Sequence, residues 1–298
     1  LDEASVLDGI ERAKARGAEG IIVSLLHGFR SAVHEEAAAA IIRRAAPELF
    51  VFTSAEIWPV IREYERTTTA IINGYVHPRV SDYLDKLEDA LRRSGVPAEP
   101  LITKSNRGVM SAAPGKTSCV NMVLSGTASG VIGGAFVARA CGVENAVTLD
   151  IGGTSADVAV VIDGAPQYGM GEKIGEFPLY IPSVSVTSIG EGGGSIARVD
   201  EFGVLKVGPE SAGSDPGPAC YGQGGERPTI TDAFAVSGFL GHHDLAYNSV
   251  ALDMEKARAA MATVADPLGL SLEETAEAII RVAIAGMYME INKLTARY

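Results

Sequence analysis

The sequence predicts an α/β protein, and two features of its pattern carry that expectation. Strand-like and helix-like segments alternate in the early part of the chain, as they do when helices cover a parallel sheet. Further along, a Gly-Gly turn leads within a few residues into a valine-rich run, which adds a hairpin. With 298 residues the chain suffices for one large two-lobed unit or two ordinary domains.

Taken in order, an amphipathic helix runs to about Arg16, and the apolar run Gly20 to Leu26 reads as a strand. Glu35 to Ala46 reads as a second helix and Phe50 to Thr53 as a second strand. A polar stretch from Glu63 to Thr69 leads into a long helix that ends near Gly95, where Gly-Val-Pro supplies a stop signal. That helix is expected to connect two lobes. A short strand around Leu101 restarts the pattern. A Gly- and Ser-rich loop at Ser125 to Gly130 precedes a helix to Ala140, and Ala146 to Ile151 reads as a buried strand. Val147 to Ile162 reads as strand, tight Gly-Gly turn, strand, because Ala156 and Asp157 lead straight into Val158 to Val161. Gly190 to Gly225 reads as ordered loops between short strands, and Leu272 to Leu294 as a long amphipathic helix. The chain opens on Leu1 within a helical pattern and closes without a cap, so more protein is expected beyond both ends.

Acidic residues outnumber basic ones by 37 to 25, a net charge of -12 that excludes broad attraction to nucleic acid or anionic membranes. It does not exclude ATP, which backbone N–H groups and a bound cation can hold. No uncharged apolar stretch of membrane-spanning length and no leader pattern occur, so a soluble, unexported chain is expected. Cys119, Cys141 and Cys220 form no CxxC pair, so the sequence shows neither a disulfide framework nor a zinc knuckle and fits a reducing cytoplasm.

The segment Asp150 to Asp157 carries the strongest chemical signal. Gly152 and Gly153 can take backbone angles closed to other residues, so consecutive N–H groups can converge on a phosphate, with the Thr154 and Ser155 hydroxyls as further donors. Asp150 can hold a hydrated Mg²⁺ against that phosphate, and the plain alternative is a hairpin turn with a solvated Asp. The spacing is not that of a dinucleotide-binding turn, and a strand follows where that motif demands a helix. Gly115-Lys116-Thr117 resembles the end of a P-loop, but Met110 stands where its first glycine is required. Gly192, Gly193, Gly194 and Ser195 either bring backbone donors to a ligand or form a bend that lets two strands cross closely. Asp232 is a second carboxylate near the metal, a helix cap, or both. His242 and His243 offer metal ligands or a solvated loop, and Cys220 a nucleophile or a buried thiol. Glu63, Glu65 and Arg66 read as an interlobe salt-bridge set.

These segments together resemble the family of hydantoinase A, 5-oxoprolinase and acetone carboxylase. The Asp150 to Asp157 hairpin is similar to its second phosphate-binding hairpin, and Arg62 to Thr69 to its interlobe motif. Ser125 to Gly130, the glycine loop Gly190 to Ala197, the run Val207 to Gly213 with Pro216 to Tyr221, and Thr231-Asp232-Ala233 follow in the family's order. Departures stand at Thr127 and Ser129, where the family has Pro and Gly, at Phe234 and Phe239, where it has Asn and Arg, and at Ala156, where it has Thr. The resemblance implies a two-lobed, actin-like ATPase fold of ribonuclease-H-like topology, incomplete at both ends. On that basis residues 1–66 are the C-terminal part of the first lobe, 67–145 the interlobe helix and connecting segment, and 146–298 the second lobe. It also implies ATP and Mg²⁺ as cofactors, with Asp150 and Asp232 as catalytic carboxylates and Asp150 as the metal ligand. Gly152, Gly153, Thr154, Ser155 and Asp157 would grip phosphate together with Gly192 to Ser195. The implied reaction is ATP-dependent opening of a hydantoin, N-methylhydantoin or 5-oxoproline ring, or carboxylation of a ketone. A non-catalytic nucleotide sensor is the rival of another class. A hydantoinase B type partner and an oligomer are expected.

Overall fold

The computed structural model describes residues 1–170, 172–174 as backbone, 176–240 and 251–296. In chain order, α1 (Glu3–Ala15) starts at Asp2, whose side chain accepts from the Ala4 amide, and leads to β1 (Gly20–Val23), α2 (Val33–Ala45) and β2 (Phe50–Thr53). A single turn, α3 (Ser54–Ile57), precedes α4 (Glu63–Arg93), followed by β3 (Leu101–Thr103), β4 (Val109–Ser111), α5 (Ala112–Thr117) and α6 (Ser125–Ala140). The hairpin β5 (Ala146–Ile151) and β6 (Ala156–Ile162) comes next. The short strands β7 (Ala165–Pro166), β8 (Tyr168–Gly169), β9 (Glu172–Ile174), β10 (Phe177–Leu179), β11 (Ser183–Val184) and β12 (Thr187–Ile189) follow. The described chain ends with β13 (Ser195–Val199), β14 (Leu205–Ser211), α7 (Ile230–Val236), α8 (Met254–Leu268) and α9 (Leu272–Thr295).

These elements fall into two compact units, one of Leu1–Gly133 with Gln167–Ser185, the other of Gly134–Pro166 with Val186–Tyr298. In the first, β1 and β2 pair in parallel, Gly20 opposite Phe50. Ile10, Val23, Ala38, Ile42 and Val51 form a core with α1 and α2, while Phe52, Ile57, Ala70, Ile72 and Val120 form a core with α4. Gly74 lets α4 lie close to β1, since a Cβ there would come within 2.7 Å of the Ile22 side chain. This is the helix-covered parallel pair that alternation predicts. The polar stretch Glu63 to Thr69 is not a lead-in but the first turns of α4, and Thr68, Thr69 and Ala70 are buried there. Ser125 to Gly130 is likewise helical, because α6 buries Ala128, Val131 and Ala135 on one face and that packing outweighs the local Gly and Ser preference.

In the second unit the strands pair antiparallel in the order β12-β6-β5, with β7 also on β6. β6 lies between neighbours and packs on α9, so Val158, Ala159, Val160 and Val161 are all buried and its apolar run is continuous. β5 forms the edge of this sheet and is not the buried strand the sequence suggested: Val147, Leu149 and Ile151 are exposed. α7, α8 and α9 enclose a separate core around Met261 and Ile279. Among the described residues no helix is long and apolar enough to cross a membrane.

Candidate functional site

The hairpin takes the predicted form, with Ala146 opposite Val161 and Ile151 opposite Ala156, leaving Gly152 to Ser155 as the turn. The Gly152 amide donates to the Ser155 carbonyl at 2.9 Å and closes the turn. Among the described residues no hydrogen bond uses the amides of Gly153, Thr154 or Ser155, which are three consecutive donors on an exposed bend. Neither Gly152 nor Gly153 adopts the left-handed conformation that their sequence suggested.

What fixes the turn is the glycine loop behind it. The Gly193 amide donates to the Gly152 carbonyl at 2.9 Å and the Gly194 amide to the Gly153 carbonyl at 2.6 Å. Ser195 is fully buried, with its amide on the Gly192 carbonyl and its hydroxyl donating to the Gly190 carbonyl at 3.2 Å. The amides of Gly193, Gly194 and Ser195 are therefore spent within the protein, and of the two readings of this loop the close backbone crossing describes it. A Cβ on Gly192 would sit 2.5 Å from the Ser155 nitrogen and the Thr154 carbonyl carbon, so only glycine fits without moving the turn. Gly192→Ala is expected to cost about 1–3 kcal/mol, read as a lower midpoint in thermal unfolding. Gly153→Ala, whose Cβ meets nothing within 4 Å, serves as the silent control.

The clamp is itself anchored. The Thr231 amide and hydroxyl both donate to the Gly193 carbonyl at 2.8 Å. One residue on, the Asp232 carboxylate is 0% exposed. It accepts from the amides of Ala219 (3.3 Å), Cys220 (2.7 Å) and Thr229 (2.9 Å) and from the Thr229 hydroxyl (2.8 Å). Thr229 and Asp232 form a capping box on α7. These contacts are those of a cap and a loop anchor, and both carboxylate oxygens are occupied by protein donors. Cys220 is fully buried, and burial with the Asp232 charge beside it pushes its thiol up, out of the range of a nucleophile. Cys119 is also buried, its thiol pushed up to about 11 by desolvation.

Asp150 and Asp157 are register partners across the hairpin, which sets the two carboxylates side by side on one face. Asp157 accepts from the Ser188 hydroxyl at 2.7 Å, whereas Asp150 is exposed and has no partner among the described residues. His242 and His243 lie outside the described residues. The remaining residues proposed for chemistry do not gather here. Arg66 is fully buried and donates to the Ser54 hydroxyl and to the carbonyls of Val60 and Leu25, while Glu63 accepts from the His27 amide. Glu65 pairs with Arg62 at 3.0 Å. Arg66 also pairs with Glu63 at 3.9 Å, and among the described residues all these partners lie in the first unit, where the set ties loops together.

Residues 66–298 match the hydantoinase/oxoprolinase family, and the chain belongs to it. The caprolactamase alpha subunit of Pseudomonas jessenii is 34% identical over 296 residues, 99% of this chain and 42% of that protein. The acetophenone carboxylase gamma subunit of Aromatoleum aromaticum is 36% identical over 292 residues, 95% of this chain and 40% of that one. A nucleotide-free structure of acetone carboxylase, an enzyme of ATP-dependent acetone carboxylation, superposes with a TM-score of 0.81 at 32% identity, covering 94% of this chain and 40% of that chain. The chain thus spans about two fifths of the length of these relatives.

Proposed function

We propose that this chain supplies phosphate-binding groups to an ATP-dependent enzyme that opens a cyclic amide, a hydantoin, N-methylhydantoin or 5-oxoproline, by phosphorylating its carbonyl oxygen. An actin-like, two-lobed form of the whole protein and a hydantoinase B type partner belong to this reading. The observation that carries it is the turn. Three consecutive amides that make no hydrogen bond among the described residues, Gly153 to Ser155, sit on a hairpin clamped by the glycine loop and flanked by two carboxylates in register.

Consecutive N–H donors suit phosphate oxygens, and a turn held rigid needs no reorganisation when charge arrives. Two carboxylates facing each other across strands repel by about 0.2–1 kcal/mol unless a cation lies between them. The described residues contain no group of three or more side chains able to hold a metal. A pair of carboxylates in register, Asp150 and Asp157, would hold Mg²⁺ only together with phosphate oxygens and water, which is the manner usual for that ion. Bound Mg-ATP would supply the phosphoryl group that turns a carbonyl oxygen into a leaving group. The chain's own contribution is positional: the amides and the Thr154 hydroxyl orient phosphate, and Gly192 to Gly194, Thr231 and Asp232 hold the turn in place.

The test is turnover by the full-length protein with its partner subunit. Each cyclic amide opened should consume one ATP and two waters and release one ADP and one phosphate, with no ADP above background from ATP alone. Turnover driven by a ketone with bicarbonate would move the enzyme to the carboxylase branch. Binding without substrate-dependent turnover would leave a nucleotide sensor.

A further inference from the structure

The glycine loop has a second anchor, at the end away from Thr231. Glu191 stands two residues beyond β12, its amide donating to the Ile189 carbonyl at 2.8 Å. The next three residues are the ones that meet the turn: Gly192 packs against Thr154 and Ser155, and Gly193 and Gly194 donate to the carbonyls of Gly152 and Gly153.

The Glu191 side chain is half-buried and turns to α9. It lies against the helix at Gly286, where a Cβ would overlap the carboxyl group. Glycine weakens a helix interior, and Gly286 stands well inside α9. The seated carboxyl gives that glycine its reason, because any larger residue would expel it. Oε2 of Glu191 is enclosed and has no hydrogen-bond partner among the described residues. An enclosed carboxyl oxygen without a donor costs free energy, and the ionised form costs more. Burial above all raises the Glu191 carboxyl from the ordinary carboxylate range; the Met287 amide opposes this and the charge of Glu290 adds to it. Lys293, the basic residue in the last turn of α9, is itself paired with Glu290. What the seat achieves is location: it fixes the entry of the loop, as Thr231 and Asp232 fix its exit.

We propose that Glu191 is a positioning residue for phosphate: seated at Gly286, its carboxyl holds the glycine loop so that Gly193 and Gly194 keep the amides of the turn in place. This rests on the phosphate-binding reading above and adds to it a control by protons. The seat favours the neutral acid. Seating is therefore complete below the ordinary carboxylate range, weakens as pH rises through the raised value, and is constant above it. Affinity for phosphate should fall over the same interval.

The test follows clamp and ligand separately in the full-length protein, by hydrogen exchange at the Gly193 and Gly194 amides and by calorimetric titration with Mg-ATP. Glu191→Ala is expected to lower both the protection of these amides and the affinity for Mg-ATP about fivefold, while the amides of α8 keep their protection. Gly286→Ala favours the helix itself, yet should loosen the clamp equally by expelling the carboxyl. It should add nothing in a chain that already carries Glu191→Ala. Glu191→Gln, which has the shape of the neutral acid, should hold the clamp as the wild type does at acid pH and abolish the decline toward neutral pH. Unchanged protection in Glu191→Ala, additive effects of the two alanine substitutions, or a decline that survives Glu191→Gln would overturn the inference. Mg-ATP affinity indifferent to a loosened clamp would overturn it alone. A wild-type protein that binds no Mg-ATP would remove the phosphate reading and this role with it.

Discussion

Asp232→Ala is expected to destabilise the second unit by about 3–5 kcal/mol, a large share of the roughly 5–15 kcal/mol that holds an ordinary domain folded. The carboxylate accepts four hydrogen bonds at zero exposure, three of them from backbone amides. Truncation leaves those donors buried and unpaired, and each such group costs about 1–3 kcal/mol when water cannot replace the lost partner. Part of the loss relaxes as the Ala219–Tyr221 turn shifts, which keeps the total below the simple sum. Hydrogen exchange gives the local readout: the Ala219 and Cys220 amides should lose protection, and the urea midpoint should fall. Asp232→Asn should lie between, since its carbonyl oxygen still accepts while its amide group faces donors. A variant that kept its midpoint and its amide protection yet lost turnover would instead make Asp232 a chemical group.

The hairpin and the first helix-covered strand pair were legible because each rests on local chemistry. Val158 to Val161 is rich in valine and comes shortly after a Gly-Gly pair, and Phe50 to Thr53 is a strand with the boundaries its apolar run suggests. A cap at Asp232 was legible in the sequence, but the cap residue is Thr229, and Asp232 serves as the third helical residue of its capping box. What stayed hidden depends on distant partners. Nothing local in Ser125 to Gly130 tells that Ala128 will be buried and draw those residues into α6. Nothing in Gly192 to Gly194 tells whether their amides face a ligand or the carbonyls of a turn some forty residues away in sequence; two of them face the carbonyls of Gly152 and Gly153. Arg66 likewise looks like a surface charge in sequence, and only the fold shows it fully buried among Ser54, Val60 and Leu25. The edge position of β5 follows from strand order, which an apolar run does not encode.

Asp150→Ala should behave in the opposite way to the change at Asp232. The side chain is exposed, has no partner among the described residues, and faces Asp157 across the hairpin, so its removal relieves a like-charge contact. Without Mg²⁺ the variant should unfold at the wild-type midpoint or slightly above it, by about 0.2–1 kcal/mol. Turnover should respond far more. If Asp150 and Asp157 share a cation against the phosphate, deleting one removes a charge that acts where negative charge gathers in the transition state, an effect worth about a hundredfold or more in rate. Asp150→Asn keeps the shape and one oxygen, and should recover part of that loss as Mg²⁺ is raised. A purely structural carboxylate would give no such rescue. Retained turnover in Asp150→Ala, measured per folded molecule at saturating Mg-ATP, would remove the cation from this hairpin and leave its amides as phosphate ligands alone.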